Sequence, residues 1–271
     1  MERIWKQKKT TSAEPNLSEA SQSEDDVEPG IIVLYKTAMR KVVLESGRTV
    51  LKIGRGVTPG EAEGLKVAAA AGIPAPRLHN MFKHDEEVGI RMDLVQGQSL
   101  DLLWPTMSTY EKKNIAEQLR GIIRQMRELK PPPNLIGSCD RTAVRDTRVR
   151  FMYEGPICHD EDSFNNYLIS SLFSQTPSML RESFRDNLQT NHRVVFTHGD
   201  LTPRNILMHS GRIAGVVDWE ESGWYPEYWE SVKFFERPAE DDWKEYAEYI
   251  FPGRYSTELI IYTAMSRWRN A

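Results

Sequence analysis

Cysteine is scarce in this chain, which has two among its 271 residues, Cys139 and Cys158. Two thiols cannot build the disulfide framework of a small secreted protein, so a reduced, cytoplasmic protein is the simplest prediction. A nucleophilic thiol needs an accessible, electropositive environment, and the neighbouring His159 does not establish one by sequence adjacency alone. We therefore expect both cysteines to be packing or bystander residues.

Long apolar runs and an excess of basic charge are also missing. No apolar stretch approaches the length that spans a bilayer, and the polar residues that follow Ile4 do not fit a secretory signal. The net charge of −4 disfavours a nucleic-acid polyanion as the main partner. We predict neither a membrane nor a nucleic-acid partner, and the sequence does not indicate an oligomeric state.

The composition changes near residue 29. Residues 1–28 are rich in serine, threonine, lysine and acidic residues and poor in apolar ones, which is typical of a disordered or loosely docked tail. The chain as a whole is 39% hydrophobic and 27% charged, an ordinary globular balance. Residues 29–271 are long enough for two lobes with a substantial core.

Short β-rich runs follow the tail. We predict strands over residues 31–35, 41–44, 49–53 and 88–95, and a helix over 60–71. The helix begins after Pro59 and ends at Gly72. Between this helix and the last strand, Pro74 and Pro76 favour an extended segment. This order predicts a small β-rich N-lobe over residues 29–96.

Beyond Gly97 the spacing of apolar residues becomes mostly helical. We predict helices over 109–129, 163–173 and 179–188, a hairpin region over 194–218, and further helices from 238 to the end. The sequence therefore predicts an α+β fold of two lobes, with the larger, helical C-lobe over residues 97–271.

The most informative stretch of the chain is one motif, His198-Gly199-Asp200-Leu201-Thr202-Pro203-Arg204-Asn205. A second acid, Asp218, follows thirteen residues after Asn205, and each acid lies just past a strand-like run. Phosphoryl transfer needs one carboxylate to orient a hydroxyl nucleophile, and an amide oxygen with a second carboxylate to hold Mg²⁺ on the nucleotide phosphates. Alone, Asp200 would be read as a turn residue, but the joint spacing favours this chemistry.

The motif and its spacing resemble the aminoglycoside phosphotransferase and choline kinase branch of the protein-kinase-like fold. The likeness looks greatest to the fungal group of such sequences, which shares the phrases Phe196-Thr197-His198-Gly199-Asp200, Asp218-Trp219-Glu220 and Gly223-Trp224-Tyr225-Pro226-Glu227-Tyr228-Trp229-Glu230. It spans about residue 30 to the C-terminus. The resemblance implies ATP-dependent, magnesium-dependent phosphorylation of a hydroxyl group on a small molecule.

The same resemblance implies roles for individual residues. Asp200 would be the catalytic carboxylate, and Asn205 and Asp218 would bind Mg²⁺. Lys52 would touch the nucleotide phosphates and pair with a glutamate of the first helix. Glu61 is the preferred partner, and Glu63 is the alternative.

A hinge between the lobes is implied by Met92-Asp93-Leu94-Val95. Adenine would bond to the backbone of Asp93 and Val95, with Met92 beside them and with Leu207 and Val217 as apolar contacts. Taken alone, this stretch fits an ordinary core strand equally well.

One feature departs from the protein-kinase pattern, because no glycine-rich loop joins the first two predicted strands. Tyr35-Lys36-Thr37-Ala38-Met39-Arg40 stands there instead. Near the motif, His198 is expected to brace the loop rather than transfer a proton. Arg204 fits a phosphate contact, a pair with Asp200 or a surface position, and Glu220 fits a second metal or solvent.

Two further questions stay open at this point. The aromatic residues after Asp218 favour core packing over a box that binds a cationic amine; they are Trp219, Trp224, Tyr225, Tyr228 and Trp229. A non-catalytic binding or scaffold protein of the same fold is the alternative function. A protein kinase is less consistent, since Asp-Phe-Gly and Ala-Pro-Glu phrases are missing. The sequence does not name the acceptor.

Overall fold

The computed structural model describes residues 32–146, 155–239 and 242–269. The tail predicted over residues 1–28 lies outside the described residues. Within the described ranges, no helix combines the length and the apolar character needed to cross a membrane.

The N-terminal part is one antiparallel sheet of five strands with a single helix against it. The strands are β1 Ile32–Lys36, β2 Lys41–Ser46, β3 Thr49–Gly54, β4 Leu78–His84 and β5 Glu87–Asp93, in the order β1-β2-β3-β5-β4. Helix α1, Pro59–Ala70, has its proline at the first helical position, where the missing N–H costs no hydrogen bond.

Sequence patterning predicted four of these strands and missed β4. Most residues of β4 are exposed on both faces, so the alternation of apolar and polar residues that marks a half-buried strand is absent. The strand expected over residues 88–95 is β5, which ends at Asp93, so Val95 lies in the connection that follows.

Helix α1 lies directly against the segment that follows Asp218. Gly64 of α1 faces Ser222 so closely that a Cβ at Gly64 would collide with the Ser222 hydroxyl. Ser222 Oγ donates 2.7 Å to the carbonyl oxygen of Trp219, which fixes the hydroxyl at this contact. The close approach sets the distance between the helix that carries Glu61 and the turn that begins at Asp218.

The C-terminal part is mostly helical. Its helices are α2 Leu100–Leu103, α3 Thr109–Arg127, α4 Glu161–Ser170, α5 Ser178–Asn187, α6 Trp229–Glu236, α7 Ala247–Ile250 and α8 Ser256–Ser266. Helix α3 begins with a capping box, in which Ser108 and Glu111 bond to each other's backbone amides. Helix α6 was not predicted. Six of its eight residues are buried, and they include the charged Glu230 and Lys233, so the sequence shows no separate apolar stripe.

Two small sheets carry the motif. Strands β10 Arg212–Val216, β9 Ile206–His209 and β6 Gln98–Ser99 form one, in that order. Strands β7 Gly137–Ser138, β11 Gly223–Pro226 and β8 Val194–Thr197 form the other. The region expected as one hairpin over 194–218 is therefore split, since β8 pairs with β11 while β9 pairs with β10. The motif loop bridges the two sheets.

The core contains the aromatic residues that follow Asp218. Each is at most 5% exposed, namely Trp219, Trp224, Tyr225, Tyr228 and Trp229. The Phe196 and Trp219 rings stack at 5.6 Å, and Trp229 meets Phe164 edge-on at 5.0 Å. The expectation of core packing is confirmed, and these rings present no open box to a ligand.

Both cysteines are free, as expected. Burial raises the pKa of the Cys139 thiol to about 12 and that of the Cys158 thiol to about 11. Neither thiol forms a thiolate near neutral pH, so neither has the character of a nucleophile.

Candidate active site

The motif loop leaves β8 and turns sharply at Gly199. This residue has φ +81°, and a Cβ there would lie 2.9 Å from the carbonyl oxygen of Glu221. Both the backbone conformation and the lack of space require glycine. The turn places Asp200 between the two small sheets, with its residue 6% exposed.

His198 joins the motif loop to the strand that leads to Asp218. Its Nδ1 accepts the backbone N–H of Asp200 at 3.2 Å, and its Nε2 lies 3.1 Å from the carbonyl oxygen of Val217. These partners require a neutral ring with the proton on Nε2. Burial lowers the pKa of His198, in agreement with that state. Both ring nitrogens are used, so the expected bracing role fits the structure.

Glu230 holds the motif loop from the other side. Its Oε2 accepts the backbone N–H of His198 at 2.6 Å, and its Oε1 accepts that of Gly199 at 3.2 Å. Glu230 is the second residue of α6, and it is 4% exposed. This helix therefore determines where the loop that carries Asp200 begins.

Replacing Glu230 with glutamine should flatten the pH dependence of stability. Burial raises the pKa of Glu230 from 4.5 to about 7, although the backbone amides lower it. A raised folded-state pKa means that this carboxyl's contribution is complete below pH 4.5 and is lost as the pH rises through about 7. As the pH rises through this range, the free energy of unfolding of wild type should fall by roughly 1–3 kcal/mol relative to that of Glu230→Gln. Thermal melts of both proteins across this range test it, and parallel curves would contradict it.

The Asp200 carboxylate is enclosed by three side chains. Asn205 Nδ2 donates to its Oδ2 at 2.9 Å, and so does Arg204 Nη2 at the same distance. Arg237 Nε lies 3.1 Å from Oδ1, although the angle there is too poor for a hydrogen bond, so we count it as an ion pair only. Of the roles considered for Arg204, the pair with Asp200 is the one that the structure shows.

Arg237 is a site residue that sequence reasoning missed. It is 3% exposed, its Nη2 donates 3.2 Å to the carbonyl oxygen of Gly199, and it also pairs with the carboxylate of Glu221. It lies 37 residues after Asp200 at the end of α6, outside any recognisable motif. Nothing in its local sequence distinguishes it from a surface arginine.

Asn205 and Asp218 come together through the backbone. Val217 donates its N–H to the carbonyl oxygen of Asn205 at 2.9 Å, and Asp218 follows in a left-handed conformation with φ 67° and ψ 61°. Asn205 Nδ2 is used by the backbone carbonyl and the carboxylate of Asp200, each at 2.9 Å. Its Oδ1 is thus the atom left for a cation. A carboxylate and an amide oxygen are hard ligands of the kind that Mg²⁺ takes.

Lys52 lies where the N-terminal sheet meets this pair. Its Nζ is 2.8 Å from Glu61 Oε1, 2.6 Å from Asp218 Oδ1 and 3.4 Å from Glu220 Oε2. The predicted contact with Glu61 is confirmed, while Glu63 pairs on the surface with Lys66 at 2.6 Å. Burial lowers the pKa of Lys52, and the carboxylates of Asp218 and Glu61 outweigh it, so the net direction is upward.

Three carboxylates therefore surround one ammonium. One oxygen each of Glu61, Asp218 and Glu220 lie within 4.8 Å of one another, close enough to hold a metal ion together. The Lys52 ammonium already bonds to all three. A cation at this centre would have to displace Lys52, and the predicted Mg²⁺ site at Asn205 and Asp218 stays a prediction.

Lys52→Met should strongly destabilise the fold. It leaves Glu61, which is 1% exposed, without its compensating charge. Removing one partner of a buried pair costs about 3–5 kcal/mol. The matched control is Lys66→Met, because its pair with Glu63 on the same helix is exposed and should change stability by less than about 1 kcal/mol. Urea unfolding measures the free energy of unfolding of both variants. Equal decreases would show that the ion pair of Lys52 with Glu61 contributes no more than an exposed one.

The segment proposed as the hinge lies beside the small sheet of β10, β9 and β6. Met92 in β5 is 8% exposed and pairs with Val50, while Leu207 in β9 is 5% exposed. Gly215 of β10 is packed against Val95, whose side chain would be 2.8 Å from a Cβ there. The backbone N–H of Asp93 donates to the carbonyl oxygen of Arg77 at 3.0 Å. The structure places Val95 close to the strand that ends before Val217, and adenine binding at these residues stays a prediction.

Comparison with known proteins identifies the family. The sequence matches the phosphotransferase enzyme family, APH, over residues 37–253, which is more than half of the chain. The chain belongs to this family. As a member of the phosphotransferase enzyme family, the protein is a small-molecule kinase with a hydroxyl group as acceptor. No curated protein is significantly similar to it in sequence.

Solved structures of phosphotransferases share the fold. A thermostable mutant of aminoglycoside phosphotransferase APH(4)-Ia, in ternary complex with ADP and hygromycin B, is 15% identical, with a TM-score of 0.64 over 88% of this chain and 84% of that chain. The GDP and kanamycin complex of APH(2")-IIia is 15% identical, with a TM-score of 0.59 over 89% and 83%. Aminoglycoside-3'-phosphotransferase of type VIII is 16% identical, with a TM-score of 0.58 over 89% and 94%. The predicted α+β, two-lobed kinase-like fold is confirmed.

Proposed function

We propose that this phosphotransferase uses ATP and Mg²⁺ to phosphorylate a hydroxyl group of a small molecule. The observation that carries the proposal is the contact of Lys52 with Asp218 at 2.6 Å. It connects the N-terminal sheet to the turn at Asp218, and the neighbouring Val217 is bonded to Asn205 of the motif. The groups proposed for phosphate, metal and acceptor are therefore neighbours. A lobe boundary at residues 96 and 97 would put the nucleotide between the two parts.

Asp200 would accept a hydrogen bond from the acceptor hydroxyl and take its proton late in the transfer. Its own position is fixed by Asn205, Arg204 and Arg237. Fixing the carboxylate before the substrate arrives lowers the entropy cost of reaching the reactive arrangement. Arg237 and Arg204 also bring positive charge to the place where negative charge crosses from donor to acceptor.

Asn205 and Asp218 would hold Mg²⁺ through one amide and one carboxylate oxygen. Bound there, the metal would neutralise charge on the phosphates. Lys52 would hold the phosphates beside it, and Glu61 would keep the lysine in place. Met92, Asp93, Val95, Leu207 and Val217 would surround the adenine.

The acceptor is proposed only as a hydroxyl-bearing small molecule. The solved relatives hold hygromycin B or kanamycin, but at 15% identity they share the fold with this chain and do not indicate its substrate. The buried aromatic cluster gives no site for a cationic amine. A panel of hydroxyl-bearing metabolites, screened by ATP consumption, would therefore include neutral as well as cationic compounds.

Calorimetric titration of the full chain with ATP, with and without Mg²⁺, tests the proposal before any acceptor is known. We expect binding that depends on Mg²⁺ and is lost in Asp218→Ala. If wild type binds no nucleotide in either condition, the kinase proposal is wrong. The alternative function, a non-catalytic binding or scaffold protein of this fold, would then replace it.

A further inference from the structure

Three of the four backbone amides in the loop between β1 and β2, residues 37–40, are bonded within the turn itself. Thr37 Oγ1 accepts the N–H groups of Met39 at 3.3 Å and Arg40 at 3.2 Å. The Thr37 N–H donates to the carbonyl oxygen of Arg40 at 2.8 Å. These amides, which a glycine-rich loop would offer to a phosphate, are already used inside the turn.

The same loop is fixed to the end of β3. Gly56 donates its N–H to the carbonyl oxygen of Met39 at 3.2 Å. Gly54, at φ +149°, leaves no room for a Cβ, which would collide with that carbonyl and with Arg40 Cα. Gly54 is two residues after Lys52. The backbone of Arg40 is therefore held in a fixed relation to Lys52.

The Arg40 side chain reaches one of the three carboxylates that bind Lys52. Its Nη1 pairs with Glu220 Oε2, and that oxygen is also 3.4 Å from Lys52 Nζ. The Arg40 side chain is 22% exposed and that of Glu220 is 13% exposed. Two cations, Lys52 from β3 and Arg40 from the loop that precedes β2, thus converge beside Asp218, and Arg40 remains accessible to solvent.

The net charge of this cluster determines whether it attracts the phosphates of a nucleotide. Arg40 and Lys52 face Glu61, Asp218 and Glu220, so the cluster carries one more negative than positive charge. With a divalent cation bound its sign becomes positive, which favours an incoming polyphosphate. A guanidinium presents paired N–H donors that match phosphate oxygens, and its hydrogen bonds to them are stronger than those of a neutral donor.

We propose that Arg40 binds the phosphates of the nucleotide, in place of the backbone amides of a glycine-rich loop, and that Glu220 holds its guanidinium when no phosphate is bound. This inference rests on the proposed function, since it concerns the same nucleotide site. Binding exchanges one anionic partner of Arg40 for another. Arg40 is a specificity residue for the phosphate chain, with no contact to the base.

The test is calorimetric titration of the full chain in Mg²⁺ with ATP, ADP and adenosine. Arg40→Gln should raise the Kd for ATP about 10- to 100-fold, because it removes a charge-assisted contact. Its Kd for adenosine should stay within about twofold of wild type. The matched control is Arg185→Gln, which removes the same charge from an exposed position of α5 in the C-terminal part and should leave all three affinities unchanged.

Glu220→Gln separates phosphate binding from a merely structural role. If Arg40 served only to hold Glu220, Arg40→Gln and Glu220→Gln would lower the affinity for ATP equally. Direct phosphate binding by Arg40 predicts instead that Glu220→Gln keeps or raises the affinity for ATP. Arg40→Lys retains a charge near Glu220, so it serves where the glutamine variant fails to fold and should bind ATP with intermediate affinity. Wild-type ATP affinity in Arg40→Gln would overturn the inference alone. Absence of ATP binding in wild type would overturn it together with the proposed function.

Discussion

Asp200→Asn is expected to lower turnover by at least about 100-fold, the usual contribution of a positioned acid or base. The substitution keeps the size of the side chain and its place beside Asn205 and Arg204. It removes the charge that is proposed to orient the acceptor hydroxyl and take its proton. ATP affinity should remain nearly intact, because in the proposed mechanism Asp200 contacts the acceptor and not the metal. ATP consumption with an acceptor found in the screen measures turnover, and calorimetry measures ATP affinity.

The control for this variant is Asp186→Asn, which makes the same chemical change at an exposed position of α5. It should have wild-type turnover. Retention of wild-type turnover in Asp200→Asn would show that another residue positions the acceptor. A loss of ATP affinity equal to the loss of turnover would show that Asp200 belongs to the metal site.

Asp218→Ala is expected to abolish the binding of ATP that depends on Mg²⁺. The carboxylate is one of the two proposed protein ligands of the metal, and it also bonds to Lys52 at 2.6 Å. Titration in Mg²⁺ and in EDTA separates the two effects. In EDTA the variant and wild type should bind ATP with similar, weak affinity, whereas in Mg²⁺ only wild type should bind tightly. Equal affinities in Mg²⁺ would contradict the metal role.

The sequence predicted those parts of the site that depend on neighbours in the chain. Asp200, Asn205 and Asp218 lie within about twenty positions, and their spacing alone indicated one site. The local pattern indicated that Lys52, a lysine inside an apolar strand, requires a carboxylate partner if it is buried, and the resemblance indicated Glu61 as that partner. The helix after Pro59 supplies that carboxylate.

Contacts between distant segments were beyond sequence reasoning. Arg237 reaches Asp200 from the end of α6, and Arg40 reaches Glu220 from 180 positions earlier in the chain. Strand β4 was missed for a different reason, since its mostly exposed residues lack an apolar face. The preference for Glu61 over Glu63 rested on the resemblance, because the sequence alone does not show how α1 rotates against the sheet.

The close contact of Gly64 with Ser222 limits how this kinase can be controlled. An enzyme that is switched off by an outward movement of the helix that carries this glutamate needs loose packing between that helix and its neighbours. Here the helix that carries Glu61 packs closely against the turn that follows Asp218. A movement of the helix would therefore require the turn to move as well. Helix and turn therefore form one packed unit, and any side chain larger than glycine at position 64 would push Glu61 and Asp218 apart.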